Sequence, residues 1–266
     1  MALALVLAAA VAPAAGAAPP NVVFVLTDDL AWNLVQYMPH VQELQQRGMT
    51  FTRYYVTDSL CCPSRASIFT GRFPHNTKIF TNMAPDGGYD VFHQRHEERS
   101  TFATALHKAG YRTGFMGKYL NGYLPTSLRV PNGWSDWVGA GAAYAEFNYN
   151  LNQNGTLVHY GKRPRDYLTD VLAAKGSAFI NAAADAGQPF VLELSTFAPH
   201  GPFTPAPRHA NLFPGLKAPK GPAFNAPVRN APSWLAGHAP LPPRAINRAN
   251  VRYRKRAQAV QAVDEM

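Results

Sequence analysis

The chain has 266 residues, of which 47% are hydrophobic and 15% charged, a balance that suits a folded globular protein and excludes a disordered or fibrous one. Its net charge of +9 favours an anionic ligand or surface, but the six cations between Arg244 and Arg256 come with no sequence motif that reads nucleic acid, so no nucleic-acid partner is expected. Its two cysteines are neighbours, which excludes a disulfide framework.

Met1–Ala18 is almost wholly Ala, Val and Leu, and Ala15-Gly16-Ala17 offers a small-residue cleavage site. No Lys or Arg precedes the apolar run, yet its length and flank read as a secretory signal peptide, too short for stable membrane insertion. A secreted or extracytoplasmic protein is expected. Asn21–Leu26 is a β-branched apolar run with the character of a fully buried parallel strand. It ends in Thr27-Asp28-Asp29. Adjacent aspartates at the carboxyl end of such a strand suit a hard divalent cation or, alternatively, a helix cap leading into Leu30–Tyr37. Pro39–Arg47 reads as a helix stopped by Gly48, and Phe51–Val56 as a second strand.

The segment Leu60–Arg72 (Leu-Cys-Cys-Pro-Ser-Arg-Ala-Ser-Ile-Phe-Thr-Gly-Arg) carries the most chemistry. Pro63 suits the first turn of a helix over Ser64–Thr70, with Gly71 as its C-terminal cap. Cys61 and Cys62 then sit at a helix N-terminus beside Arg65, an anion-binding and thiolate-favouring place. A disulfide between neighbours is strained, zinc wants a second cysteine pair, and inert burial leaves the rest of the string unexplained.

Cys61-Cys62-Pro63-Ser64-Arg65, followed by Ala66-Ser67 and Thr70-Gly71-Arg72, resembles the signature of the type I sulfatases. The Cys-Cys-Pro-Ser-Arg form looks most like the branch of N-acetylglucosamine-6-sulfatases and related arylsulfatases. The resemblance implies an α/β fold, an alkaline-phosphatase-like sandwich with a mostly parallel central sheet. It implies that a formylglycine-generating enzyme oxidises Cys61 to formylglycine, whose hydrate attacks the sulfur of a sulfate ester. Asp28, Asp29 and residue 61 match ligands of calcium, with magnesium possible. Arg65 matches the residue that holds the nucleophile, and the implied substrate is a sulfated small molecule or a sulfated glycan.

Residues 81–99 are polar and read as a surface loop. Ser100 caps a helix over Thr101–Ala109, and Tyr111–Met116 is the strand after it, so strand and helix alternate as in a parallel sheet. Lys118, just past that strand, matches the family lysine that contacts formylglycine and sulfate. Many sulfatases have a histidine two residues later, where this chain has Leu120, which leaves the proton acceptor open; Asn121 is a weak candidate for the same pocket. Phe147–Tyr160 alternates around Asn154-Gly155 and reads as a β-hairpin. Tyr167–Ala186 reads as a helix stopped by Gly187, and Pro189–Ser195 as a buried strand. The Pro199-His200-Gly201-Pro202 that follows matches the family's sulfate-binding histidine at His200.

Twelve prolines between Pro199 and Pro243 block helices and central strands, so this stretch reads as an extended loop forming a wall of the substrate cleft. Ala249–Glu265 reads as helix. Residues 19–266 are thus expected to be the N-terminal part of a sulfatase catalytic domain, truncated, with further metal ligands beyond Met266. The competing expectations are a formylglycine-dependent phosphonate monoester or phosphodiester hydrolase, and an inactive fragment that only binds sulfated glycans.

Overall fold

A computed structural model describes residues 19–226 and 228–266, so Met1–Ala18, read above as a signal peptide, lies outside the described residues. Six strands form one mixed sheet: β1 (Val22–Leu26), β2 (Arg112–Lys118), β3 (Asp136–Ala140), β4 (Tyr149–Gln153), β5 (Thr156–Tyr160) and β6 (Phe190–Ser195). Their order is β1-β6-β2-β3-β4-β5, with the first four parallel and the β4–β5 hairpin antiparallel. This is the mostly parallel α/β sheet expected. Among the described residues the α-helices that accompany it are α1 (Pro39–Arg47), α2 (Cys61–Thr70), α3 (Pro74–Thr77), α4 (Gly88–Gln94), α5 (Phe102–Lys108), α6 (Leu168–Asp185) and α7 (Pro243–Glu265).

Alternation along β2 and β6 builds the two faces. Met116, Leu192 and Leu194 meet Leu172 and Phe179 of α6 on one side. Phe115 points the other way, into Cys62 and Phe69 of α2, Tyr119 and Trp137. The Phe115 and Trp137 rings stack at 4.6 Å across paired strand positions. Each such apolar side chain contributes about 1.5–3 kcal/mol by leaving water. A third cluster docks Tyr253, Ala257 and Val260 of α7 on Leu34 and Met38. Asp264 of α7 also caps α1 from outside, accepting from the backbone N–H of His40 and Val41.

Several expectations need correction. β1 lies at the sheet edge, paired only with β6, and Val22, Val23 and Val25 are 42–46% exposed, so it is not a fully buried strand. Phe51–Val56 is no strand: Phe51, Tyr54, Tyr55 and Val56 are exposed with no strand beside them, and β-propensity needs a neighbour to pack against. The stretch 81–99 is ordered, with α4 and a 3-10 turn at Glu97–Ser100 burying Tyr89 and Phe92. Helix α5 is capped by Thr101, whose side chain accepts from Thr104 N–H, not by Ser100. Helix α7 begins six residues earlier than expected, at Pro243, which suits a first turn.

Candidate active site

Parallel strands β1, β6 and β2 deliver Leu26, Ser195 and Lys118 to one edge, and the helix α2 starts above it. Ligands of open α/β sheets lie at such carboxyl ends. The close approach depends on Gly117, at φ +116°, where a Cβ would stand 1.9 Å from the Ser195 carbonyl oxygen. Helix α2 takes in both cysteines, so it starts two residues before Pro63, and it ends at Gly71 in the left-handed region as expected.

Three charged side chains are almost fully buried here: Asp28, Arg65 and Lys118, at 3–4% exposure. Lys118 Nζ donates to Asp28 Oδ2, and Arg65 Nη2 lies 3.6 Å from Asp28 Oδ1. Arg65 Nη1 also donates to the Lys118 carbonyl (2.6 Å) and to Ser195 Oγ (2.5 Å), tying α2 to the ends of β2 and β6. Buried charge is tolerable only with such partners. The trio carries one excess positive charge, which suits an anionic ligand.

Asp29 turns outward at φ +62°, and its carbonyl accepts a 2.5 Å bond from Arg256 of α7. Its Oδ2 lies 3.6 Å from His200 Nε2. His200 Nδ1 faces the Gly201 carbonyl at 2.8 Å, so that nitrogen carries the hydrogen and Nε2 is the one turned to the cleft. Ligand atoms of Asp28, Cys61 and His200 lie within 4.8 Å of one another. A cleft of about 270 Å³ opens beside Asp28, Asp29, Cys61 and Arg65. All six residues singled out in the sequence, Asp28, Asp29, Cys61, Arg65, Lys118 and His200, therefore belong to one constellation.

The two cysteines differ. Cys61 is partly exposed at the cleft, whereas Cys62 is buried in the core and burial pushes its thiol up to about 11. Only the first is placed for chemistry, so the thiolate-favouring reading fails for Cys62. Leu120 is buried among aromatics and offers no proton acceptor. Asn121 Nδ2 donates to Tyr144 Oη at 3.3 Å, which puts it at the edge of the constellation.

Sequence reasoning missed two contributors. The Tyr144 ring lies 5.0 Å from Lys118 Nζ and 4.6 Å from the His200 ring, bracing both. Ser195 was legible only as a strand end. Neither belongs to the Cys-x-Pro-Ser-Arg string or to a charged cluster, so nothing local marks them.

A sequence profile of the sulfatase family matches residues 20–266. This chain belongs to the sulfatase family. It is 37% identical over 264 residues to an N-acetylglucosamine-6-sulfatase of Capra hircus, covering 95% of this chain and 47% of that protein. It is 34% identical over 252 residues to a Drosophila melanogaster protein called extracellular sulfatase SULF-1 homolog, covering 92% of this chain and 22% of that one. Among solved structures it resembles a protein bound to its substrate D-glucosamine-2-N,6-O-disulfate, with a TM-score of 0.63 and 26% identity over 77% of this chain and 39% of the other. The chain thus spans about half or less of the length of the relatives it matches. No helix among the described residues is long and apolar enough to cross a membrane.

Proposed function

We propose that this sulfatase-family chain carries the reaction centre of a sulfuric ester hydrolase acting on a sulfated sugar such as N-acetylglucosamine-6-sulfate or on an aryl sulfate. The observation that carries this reading is the meeting of Cys61, Asp28 and His200 ligand atoms within 4.8 Å, above the buried Arg65 and Lys118. The similar goat protein is called an N-acetylglucosamine-6-sulfatase, which supports the sugar ester. A relative named as extracellular agrees with export through the leader.

Conversion of Cys61 to formylglycine by a formylglycine-generating enzyme supplies a geminal diol, one hydroxyl to attack sulfur and a second whose deprotonation drives sulfate out. Cysteine or serine at this position lacks the second hydroxyl. The Asp28 carboxylate is a hard oxygen donor that fits calcium or magnesium, and with residue 61 it would hold one side of the ion, with Asp29 nearby beside His200. A cation bound there would supply Lewis-acid polarisation. Arg65 fixes the start of α2 over the strand ends, so residue 61 keeps its position through turnover. Lys118 offers an ammonium to sulfate oxygens from within its Tyr144 brace. His200 Nε2 donates to a sulfate oxygen only as the imidazolium, because Nδ1–H is already engaged with Gly201.

The test is turnover of 4-nitrophenyl sulfate, N-acetylglucosamine-6-sulfate and 4-nitrophenyl phosphate by protein made alongside the converting enzyme. Sulfate esters should be cleaved faster than the phosphate ester, and Cys61→Ala should abolish cleavage. Faster phosphate or phosphonate cleavage overturns the reading in favour of the phosphoester alternative. Sulfated-sugar binding that survives Cys61→Ala, with no cleavage by the parent, favours a binding-only protein.

A further inference from the structure

Between residues 243 and 257 α7 carries Arg244, Arg248, Arg252, Arg254, Lys255 and Arg256 and no acid. Four of them, Arg244, Arg248, Arg252 and Arg256, repeat at i, i+4 and form one stripe about 18 Å long at 1.5 Å per residue. Like charges at that spacing weaken a helix. Among the described residues, no acid pairs with these six side chains, whereas Arg47, Arg72, Arg112 and Arg208 each have a carboxylate. A helix that holds such a stripe against its own repulsion is built for an anion from outside.

The stripe is also part of a concave surface. Arg248, Arg252 and Lys255 face Pro202 and Phe203 across a cleft of about 390 Å³. Both walls are fastened to the reaction centre. Phe203 N–H donates to the His200 carbonyl at 3.1 Å, and Arg256, one turn beyond Arg252, donates to the Asp29 carbonyl. The walls of this cleft are therefore anchored to two residues of the site, His200 and Asp29.

We propose that this cleft is a second anion subsite, which takes further sulfate groups of a multiply sulfated glycan while one sulfate ester lies at residue 61. The proposal rests on the sulfate ester reading above. Cations along one wall match sulfates spaced along a sugar chain, and Phe203 with Val251 offers apolar surface to the C–H face of a pyranose. A single aromatic among the lining residues does not make the stacking ladder that single-stranded nucleic acid uses.

The test is calorimetric binding to the full chain, with a heparin tetrasaccharide and glucosamine-6-sulfate as probes. The variant Arg248→Ala/Arg252→Ala/Lys255→Ala keeps good helix formers on exposed positions. It should bind the tetrasaccharide about tenfold more weakly, the sum of three exposed ion pairs, with a shallower salt dependence. Monosaccharide binding should stay within about twofold, as should tetrasaccharide binding by a control, Lys162→Ala/Arg163→Ala/Arg165→Ala, beyond β5 at the opposite edge of the sheet. Tetrasaccharide binding that is absent from the parent, or unchanged in the variant, overturns the proposal. Equal loss of affinity for a single-stranded DNA 12-mer that binds as tightly as the tetrasaccharide also overturns it, in favour of a general polyanion surface. A parent that binds the tetrasaccharide through the cleft but not the monosaccharide supports the subsite and instead contradicts the reading of the reaction centre.

Discussion

Lys118 and Asp28 form a buried pair, and Asp28 lines the cleft beside Cys61. Lys118→Met leaves Asp28 with Arg65 alone at 3.6 Å, and losing one partner of a buried pair costs about 3–5 kcal/mol. The variant should melt lower than the parent in chelator, and calcium should raise its melting temperature more than it raises the parent's. An unchanged melting temperature in chelator would show that the pair is not important to the fold. Glu193 presents the opposite problem. It is fully buried in β6 between Phe24 and Phe115, and among the described residues neither carboxyl oxygen has a hydrogen-bond partner. Burial pushes its pKa up to about 8, with Arg65 opposing the shift. The folded state then holds a proton that the unfolded chain releases at the ordinary carboxylate value, so stability falls as pH rises between the two. Glu193→Met should stabilise the protein, with a gain that grows by on the order of 3 kcal/mol from about pH 4.5 to pH 8 in urea unfolding. A gain independent of pH would mean that Glu193 is not the group responsible. An acid within a run of apolar strand residues gives no sequence signal of whether it finds a partner.

At the scale of elements, sequence pattern served best where punctuation was strong. Helix α1 runs over Pro39–Arg47 between Pro39 and Gly48, and the hairpin turns at Asn154-Gly155 with both residues at positive φ. It served least where neighbours decide. β3, Asp-Trp-Val-Gly-Ala, is too short and too poor in β-branched residues to stand out, and it is held by Trp137 stacked on Phe115. α4 lies in a polar stretch, and it buries two aromatic residues, Tyr89 and Phe92. The approach of β2 to β6 has its own constraint in Gly117. Gly117→Ala puts a Cβ 1.9 Å from a backbone oxygen at φ +116°, which should cost about 3 kcal/mol or more and shift Lys118. The expected result is a lower melting temperature together with loss of sulfate ester cleavage; full stability and activity would show that the strands part without consequence.

Across the whole molecule, the charge constellation was legible because each member ends a strand or starts a helix beside a recognisable string. Asp28, Cys61 and His200 are far apart in the chain yet bring their ligand atoms within 4.8 Å, and Lys118 joins them through Asp28. What escaped were Tyr144, which packs on Lys118 and His200, Ser195, which accepts from Arg65, and the position of β1 in the sheet. A β-branched run suits an edge as well as a centre, and only the strand order shows which. The exposed valines of that edge are open to pairing with another chain. Val23→Lys should therefore reduce any concentration-dependent association seen in sedimentation, and unchanged association would place the contact elsewhere.

The claim on which the account turns is that residue 61 becomes formylglycine. Mass spectrometry of the tryptic peptide Tyr54–Arg65, from protein made with a converting enzyme, tests it directly. The account predicts a mass about 18 Da below the dithiol peptide, the difference between a thiol side chain and an aldehyde, with fragment ions placing the loss at Cys61 and leaving Cys62 a thiol. A peptide that keeps both cysteines intact under those conditions would contradict it.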